Sequence, residues 1–312
     1  NVRRLIRSEE ELKIVMARNT RPTSDQFDYT VEQSPLYDRN GKPVKVGGSP
    51  IMGNFRTDNN VCLGTSTEAY EIVNNNDVVE VIEDAFNSAG MSDFEREVVV
   101  ARDGARFYGV YDFPKVERHI ANVGDVVALR LTLNNSFDRS CGLNWAIGLL
   151  RKVCGNGMCS LVADTNVTKK HSSKLDLSFI KEGIDASVEK FDASIEAFQS
   201  LSNREITQKE GGLILDNLAI KKVLSESLRD SIQMVWDSPS FGEDQGRNLY
   251  NLYNATTEHL TREVQPTRFE YANRVNRNVL THLTRARQDR NHFAKLTLPT
   301  PEKEKVAEVV AL

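Results

Sequence analysis

The chain has 312 residues, 39% of them apolar and 27% charged, enough for about two domains at roughly 150 residues each and too apolar for a disordered polymer. Its 44 acidic residues outnumber its 40 basic ones and give a formal net charge of -4, which excludes a uniformly basic coat for nucleic acid and leaves only local patches for that purpose. No apolar run approaches the roughly 20 residues of a membrane span, and Asn1-Val2-Arg3-Arg4 leads into Ser8-Glu9-Glu10-Glu11 where a signal peptide would carry its apolar core. A soluble, cytoplasmic protein is expected, with no membrane partner. In that compartment Cys62, Cys141, Cys154 and Cys159 are expected to be free, buried thiols.

In chain order, an opening polar helix is followed, to about residue 60, by hairpins and loops, marked by Arg39-Asn40-Gly41-Lys42-Pro43 and Gly47-Gly48-Ser49-Pro50. A helix follows over 76–90: Asn76 can cap it, Val78, Val79, Val81, Ile82, Ala85 and Phe86 form its apolar stripe, and Gly90 can end it in the left-handed conformation. From about 97 to 163 the period changes to two. Phe107, Gly109, Tyr111 and Phe113 alternate with Arg106, Tyr108, Val110 and Asp112, and Val127, Leu129, Leu131 and Leu133 alternate with Ala128, Arg130, Thr132 and Asn134. This predicts an antiparallel sheet with one face on a core and the other left polar and solvated. A further strand or two is predicted between Trp145 and Val162, with Gly155-Asn156-Gly157 as the turn.

The remainder reads as helices. Ile184, Val188, Phe191, Ile195 and Phe198 share one helical face. A second helix carries Ile220, Val223, Leu224, Leu228, Ile232 and Val235 up to Ser238-Pro239, a third runs from about Gly246 to Val264, and a fourth from about Thr267 to Lys295. The predicted class is α+β: an antiparallel β-sheet in the N-terminal half followed by an α-helical C-terminal half. The predicted division is 1–174 mainly β, 175–298 helical, and a loose tail over 299–312.

Several segments together resemble the phage/plasmid-like protein family built on domain of unknown function 932. They are Arg56-Thr57-Asp58, Leu63-Gly64, Tyr70-Glu71-Ile72-Val73-Asn74, Leu133-Asn134-Asn135-Ser136-Phe137-Asp138, Arg151-Lys152-Val153-Cys154-Gly155-Asn156-Gly157-Met158, Lys170-His171, and Asn248-Leu249-Tyr250 with Tyr253-Asn254-Ala255-Thr256-Thr257-Glu258. They occur in the family's order and span most of the chain. Where many members read Asn-Ser-His-Asp-Gly-Ser, this chain has Asn135-Ser136-Phe137-Asp138-Arg139-Ser140, so any chemistry of that histidine is lost here. The resemblance implies a mobile-element setting, such as a phage, and carries no settled activity.

Catalytic and metal chemistry is weakly signalled. A Cys3His zinc set can be drawn from Cys141, Cys154, Cys159 and His171, but its spacing is irregular and a strand separates two of its members. Asp138, just after a strand, reads better as an Asx-type turn than as a catalytic carboxylate, and His119 reads as a strand's solvent-facing residue. No cofactor, metal or enzymatic activity is expected. Charge says more: residues 151–174 hold Arg151, Lys152, Lys169, Lys170 and Lys174 against the single Asp164. With Arg106, Tyr108 and Arg130 on the polar sheet face and Arg139 in the adjacent loop, these form the expected nucleic-acid-binding set. Arg274, Arg277, Arg285, Arg287 and Arg290, with Tyr271 and His282, add cations on the last helix, where a solvated face explains them as well. Successive N–H groups at 155–157 suit either an anion nest or a hairpin turn.

The expected function is a non-enzymatic DNA-transaction protein, binding or annealing single-stranded DNA as a homo-oligomer. The alternatives are a counter-defence protein that binds a host defence enzyme, and a virion or assembly component.

Overall fold

The computed structural model describes residues 27–120, 123–153, 155–159, 166–171, 182–184 and 186–299, with the backbone alone at 156–157, 159 and 166–167. The predicted opening helix and the tail, apart from its first residue, lie outside these residues. Strands β1 (Val31–Pro35), β2 (Lys45–Val46), β3 (Ser49–Pro50), β4 (Met52–Arg56) and β5 (Cys62–Ser66) come first; β1, β4 and β5 form a small antiparallel sheet, and β2–β3 a separate hairpin. Helix α1 (Asn75–Ser88) buries Val78, Val79, Ile82, Ala85 and Phe86 of the predicted stripe and half-buries Val81, and Gly90 follows at φ +73°. Its N-cap is Asn74, not Asn76, and the Asn74 Oδ1 accepts instead from the backbone N–H of Val31 at 2.8 Å, tying the helix to β1.

Strands β6 (Glu95–Ala101), β7 (Arg106–Ile120), β8 (Asp125–Ser136), β9 (Leu143–Arg151) and β10 (Asn156–Cys159) make the main antiparallel sheet in the order β10-β9-β8-β7-β6, and β11 (Asn166–Lys169) also pairs with β9. The register Tyr111↔Leu131↔Ile147 fixes which side chains share a face. Phe107, Tyr111, Phe113, Leu129, Leu131, Leu133, Trp145 and Leu149 fall on one side, all buried. Phe86 of α1 meets Tyr111 and Phe113 edge-on at 5.1 and 4.9 Å. In β7 the pairing with β8 breaks after Phe113 and resumes at Glu117; Pro114, which has no N–H to donate, follows the break. The turn between β9 and β10 includes Lys152, Val153 and Gly155, the last at φ +68°. Asn156 and Gly157 are therefore not the predicted turn; they pair with Arg151 and Leu150.

Helices α2 (Ser187–Ser202), α3 (Gln208–Ile220), α4 (Glu226–Asp237), α5 (Leu249–Arg262), α6 (Phe269–Gln288) and α7 (Arg290–Thr297) form the second half, so the class is α+β. α2 packs on β7 and β9 and buries Phe191, Ile195 and Phe198 as predicted. Two predicted helices are each divided. Ile220 ends α3 and is 53% exposed, Lys222 takes a positive φ, and Ser225 caps α4 by accepting from Leu228 N. Asp289 parts α6 from α7, its carboxylate accepting from the N–H groups of Asn291 and His292 at 2.9 and 3.2 Å. No helix among the described residues is long and apolar enough to cross a membrane.

Candidate functional site

The second face of the main sheet is polar, as alternation requires, but it is not left to water. Glu97, Tyr108, Arg130, Thr132, Asn134 and Asn144 lie beneath the end of α5, the 266–268 turn and the first half of α6. The space between is an open cleft of about 230 Å³, walled on the helical side by Leu260, Val264, Phe269, Asn273, Asn276 and Arg277. Tyr108 stacks on Phe269 with ring centroids 4.5 Å apart. Arg106, two residues earlier on the same strand face, reaches Asp138 at 2.8 Å and Glu270 of α6 at 2.5 Å. These contacts clamp the start of α6 onto β7.

The floor is a hydrogen-bonded row running across strands. Asn134 Nδ2 donates to Asn144 Oδ1 at 3.2 Å, and Asn144 Nδ2 donates to Thr168 Oγ1 at 2.7 Å. On the other side Arg130 donates to both oxygens of Asp112 at 2.6 and 2.7 Å. Burial pulls Arg130 toward neutrality, and the facing Asp112 carboxylate outweighs it, so the guanidinium is held more firmly charged than usual. A bidentate pair of this kind is charge-balanced and fixed in place. The cleft is thus lined by amides and hydroxyls bonded largely within the protein, Asn276 Oδ1 accepting from the Tyr253 hydroxyl at 2.5 Å, together with an aromatic stack and Arg277. Among the described residues no group of three or more histidines, cysteines or carboxylates stands close enough to hold a metal ion.

Of the residues predicted to bind nucleic acid, the fold brings Arg106, Tyr108 and Arg130 to one place. Arg139 is exposed at the β8–β9 turn with φ +64°, and Lys169 and Lys170 are exposed at and after the end of β11. Among the described residues of the predicted basic patch over 151–174, the cations are not all at the surface. Arg151 is fully buried, donating to both oxygens of Asp125 at 2.7 and 2.8 Å and to Asp244 at 2.6 Å, so it cannot meet a phosphate. Lys152 pairs with Glu117 at 2.5 Å, and Lys174 lies outside the described residues. The anion nest at 155–157 fails because two of its three residues belong to β10. Of the cysteines, Cys62 and Cys141 are free thiols, but Cys141 is only half-buried and Cys62, which starts the edge strand β5 of the small sheet, is exposed, contrary to expectation; Cys154 and the side chain of Cys159 lie outside the described residues. Asp138 does close an Asx turn, accepting from Ser140 N at 2.9 Å, and His119 is exposed.

A family model described as Domain of unknown function (DUF932) matches residues 62–297, more than half of the chain. The chain belongs to the DUF932 family. No curated protein and no solved structure matched it. Within the DUF932 chain, residues from several of the segments that carried the resemblance gather at two places. At the first, Tyr70 donates to the Ser136 carbonyl at 2.6 Å, His171 stacks on Tyr70 at 4.8 Å, and Asn135 Nδ2 donates to the Val73 carbonyl and to Asn75. A Cβ on Gly64 would stand 2.7 Å from the Asp138 backbone, so only glycine permits that approach. At the second, Asn248 caps α5, Tyr250 donates to Asp125 at 2.9 Å, and Asn254 donates to Asp244 at 3.0 Å around buried Arg151. Both places fasten elements to one another, so these family segments serve the scaffold. Phe137 is buried with its ring edge-on to Tyr29.

Sequence reading missed most of the cleft. Thr132 and Asn134 were visible as members of the polar face through their alternation with Leu131 and Leu133. Asn144, Asn273, Asn276 and Glu97 carried no local signal, since only strand register and helix placement bring them to the same space.

Proposed function

We propose that this DUF932 protein is a non-enzymatic nucleic-acid-binding protein of a mobile element, with single-stranded DNA as its ligand and the polar cleft as the seat for its bases. The observation that carries this reading is the row of neutral hydrogen-bonding side chains, Thr132, Asn134 and Asn144, facing Asn273, Asn276 and Arg277 across an open cleft. Unpaired bases present donor and acceptor edges that amides match, and a single strand is narrow enough to thread between a sheet and a helix. The paired state of Arg106 and Arg130 means that the cleft contributes base contacts more than phosphate neutralisation.

Titration of a labelled single-stranded oligonucleotide against wild type and Asn144→Ala tests this. Losing one or two hydrogen bonds at about 0.5–1.5 kcal/mol each predicts roughly a 2- to 10-fold weaker Kd with an unchanged salt slope. Equal affinity for the two proteins would remove the cleft from the account.

A further inference from the structure

Between β1 and β4 the chain leaves the small sheet and returns as a narrow arm. Its base is closed by Leu36 N donating to the Ile51 carbonyl at 2.9 Å and Val44 N donating to the Leu36 carbonyl at 2.8 Å. Asp38 folds the first loop, its Oδ1 accepting from the N–H groups of Asn40 and Lys42 at 2.8 and 2.9 Å. Gly47 and Gly48, at φ +57° and +88°, turn the β2–β3 hairpin, a conformation that residues with a Cβ rarely adopt. Every residue from 37 to 49 is exposed.

Two properties of the arm bear on what it could touch. It carries Arg39, Lys42 and Lys45 against one acid, Asp38, inside a chain whose net charge is negative. None of these three cations makes an ion pair among the described residues, unlike the paired Arg56, Arg106, Arg130, Arg151 and Lys152. It also shows large apolar side chains to water: Val46 is 67% exposed and Tyr37 59%. The arm lies outside the residues that the family model matches.

We infer that the arm over residues 37–49 is a second nucleic-acid contact, which grips the duplex beside the single strand, Arg39, Lys42 and Lys45 meeting phosphates and Val46 and Tyr37 making apolar contact. This rests on the nucleic-acid reading above for its ligand class and adds a double-stranded element to it. Free cations on a polyanion release counterions, and a two-stranded ribbon is of the width that the major groove admits. The arm is ordered by its own turns, so binding costs little additional ordering.

The test is a fluorescence-polarisation titration over a salt series with three probes: a single strand, a duplex, and a duplex with a single-stranded tail. The proteins are wild type, Asn144→Ala, Val46→Ser, and the triple variant Arg39→Glu, Lys42→Glu, Lys45→Glu, with thermal melts confirming that each is folded. Wild type should prefer the tailed duplex. The triple variant should lose about tenfold or more on it, with the salt slope reduced by about one per lost phosphate contact, and should keep its single-strand affinity. A triple variant equal to wild type on the tailed duplex would overturn the arm proposal alone. Single-strand binding unaffected by Asn144→Ala would overturn the cleft alone, and wild type that binds none of the probes would overturn both. A stoichiometric protein partner lost with Val46→Ser while DNA binding stays intact would reassign the arm to protein recognition.

Discussion

Arg151 shows how one residue changes meaning between sequence and fold. Read along the chain it is a cation in a basic stretch; in the fold it is fully buried, bound to Asp125 and Asp244, with Tyr250 donating to the same Asp125. A buried cation stripped of its carboxylates, or the reverse, leaves an uncompensated charge. Arg151→Ala is therefore expected to lower unfolding free energy by about 3–5 kcal/mol in a denaturant titration, without changing the salt slope of DNA binding in the protein that remains folded. A surface phosphate contact would do the opposite, costing affinity and leaving stability intact. Nothing local in the sequence separates these two roles, because Asp125 and Asp244 lie 26 and 93 positions away.

Histidines make a second prediction at this scale. Burial lowers the pKa of His171, His259, His282 and His292 below the ordinary 6.5, and for His282 the neighbouring His292, Lys221 and Arg285 act in the same direction. For His292, Arg285, Lys221 and Lys295 also lower it while Asp289 opposes. A base with a depressed pKa in the fold takes up its proton more readily when unfolded, so stability is fully present above pH 6.5 and is lost as pH falls through that value toward the folded pKa. His282 Nδ1 and His292 Nε2 stand 3.3 Å apart between α6 and α7, a contact that needs one nitrogen without a proton. Chemical unfolding should show lower stability at pH 5.5 than at pH 7.5. His292→Gln should flatten that dependence, and an unchanged profile would detach it from this pair.

Among the elements, periodicity carried the prediction well where it was regular. The α1 stripe and the two alternating strands were legible because each residue's burial follows from its place in a short repeat. Phe86, wedged against Tyr111 and Phe113, should cost about 3–5 kcal/mol when replaced by alanine, measured by the shift of the unfolding midpoint. The helix boundaries were harder to see, since apolar spacing continues across Ser225 and Asp289 while capping ends the helix. Asp289→Ala removes the acceptor for two N–H groups of α7 and is expected to cost about 1 kcal/mol, whereas Asp289→Asn should retain most of the stability. The β9–β10 turn was misplaced because Asn156-Gly157 has good turn chemistry but the Arg151 ladder pairing claims it for a strand.

For the whole molecule, the main sheet has an apolar face set against α1 and a polar face roofed by the 260–277 segment. The polar face was predicted; its roof was not, because alternation reports which residues share a side and nothing about what later packs there. That roof turns a solvated surface into a cleft, and it moves the candidate site from a loop rich in lysine to a floor of amides. Tyr108–Phe269 and Arg106–Glu270 hold the two halves together at its edge.

Binding of single-stranded DNA in the cleft is tested by photocrosslinking of an oligonucleotide carrying a photoreactive base, followed by mapping of the crosslinked peptides. Adducts are expected on the strand containing Tyr108 and on the helix segment containing Asn273 and Arg277. Crosslinks confined to other surfaces, or none at saturating oligonucleotide, would contradict it.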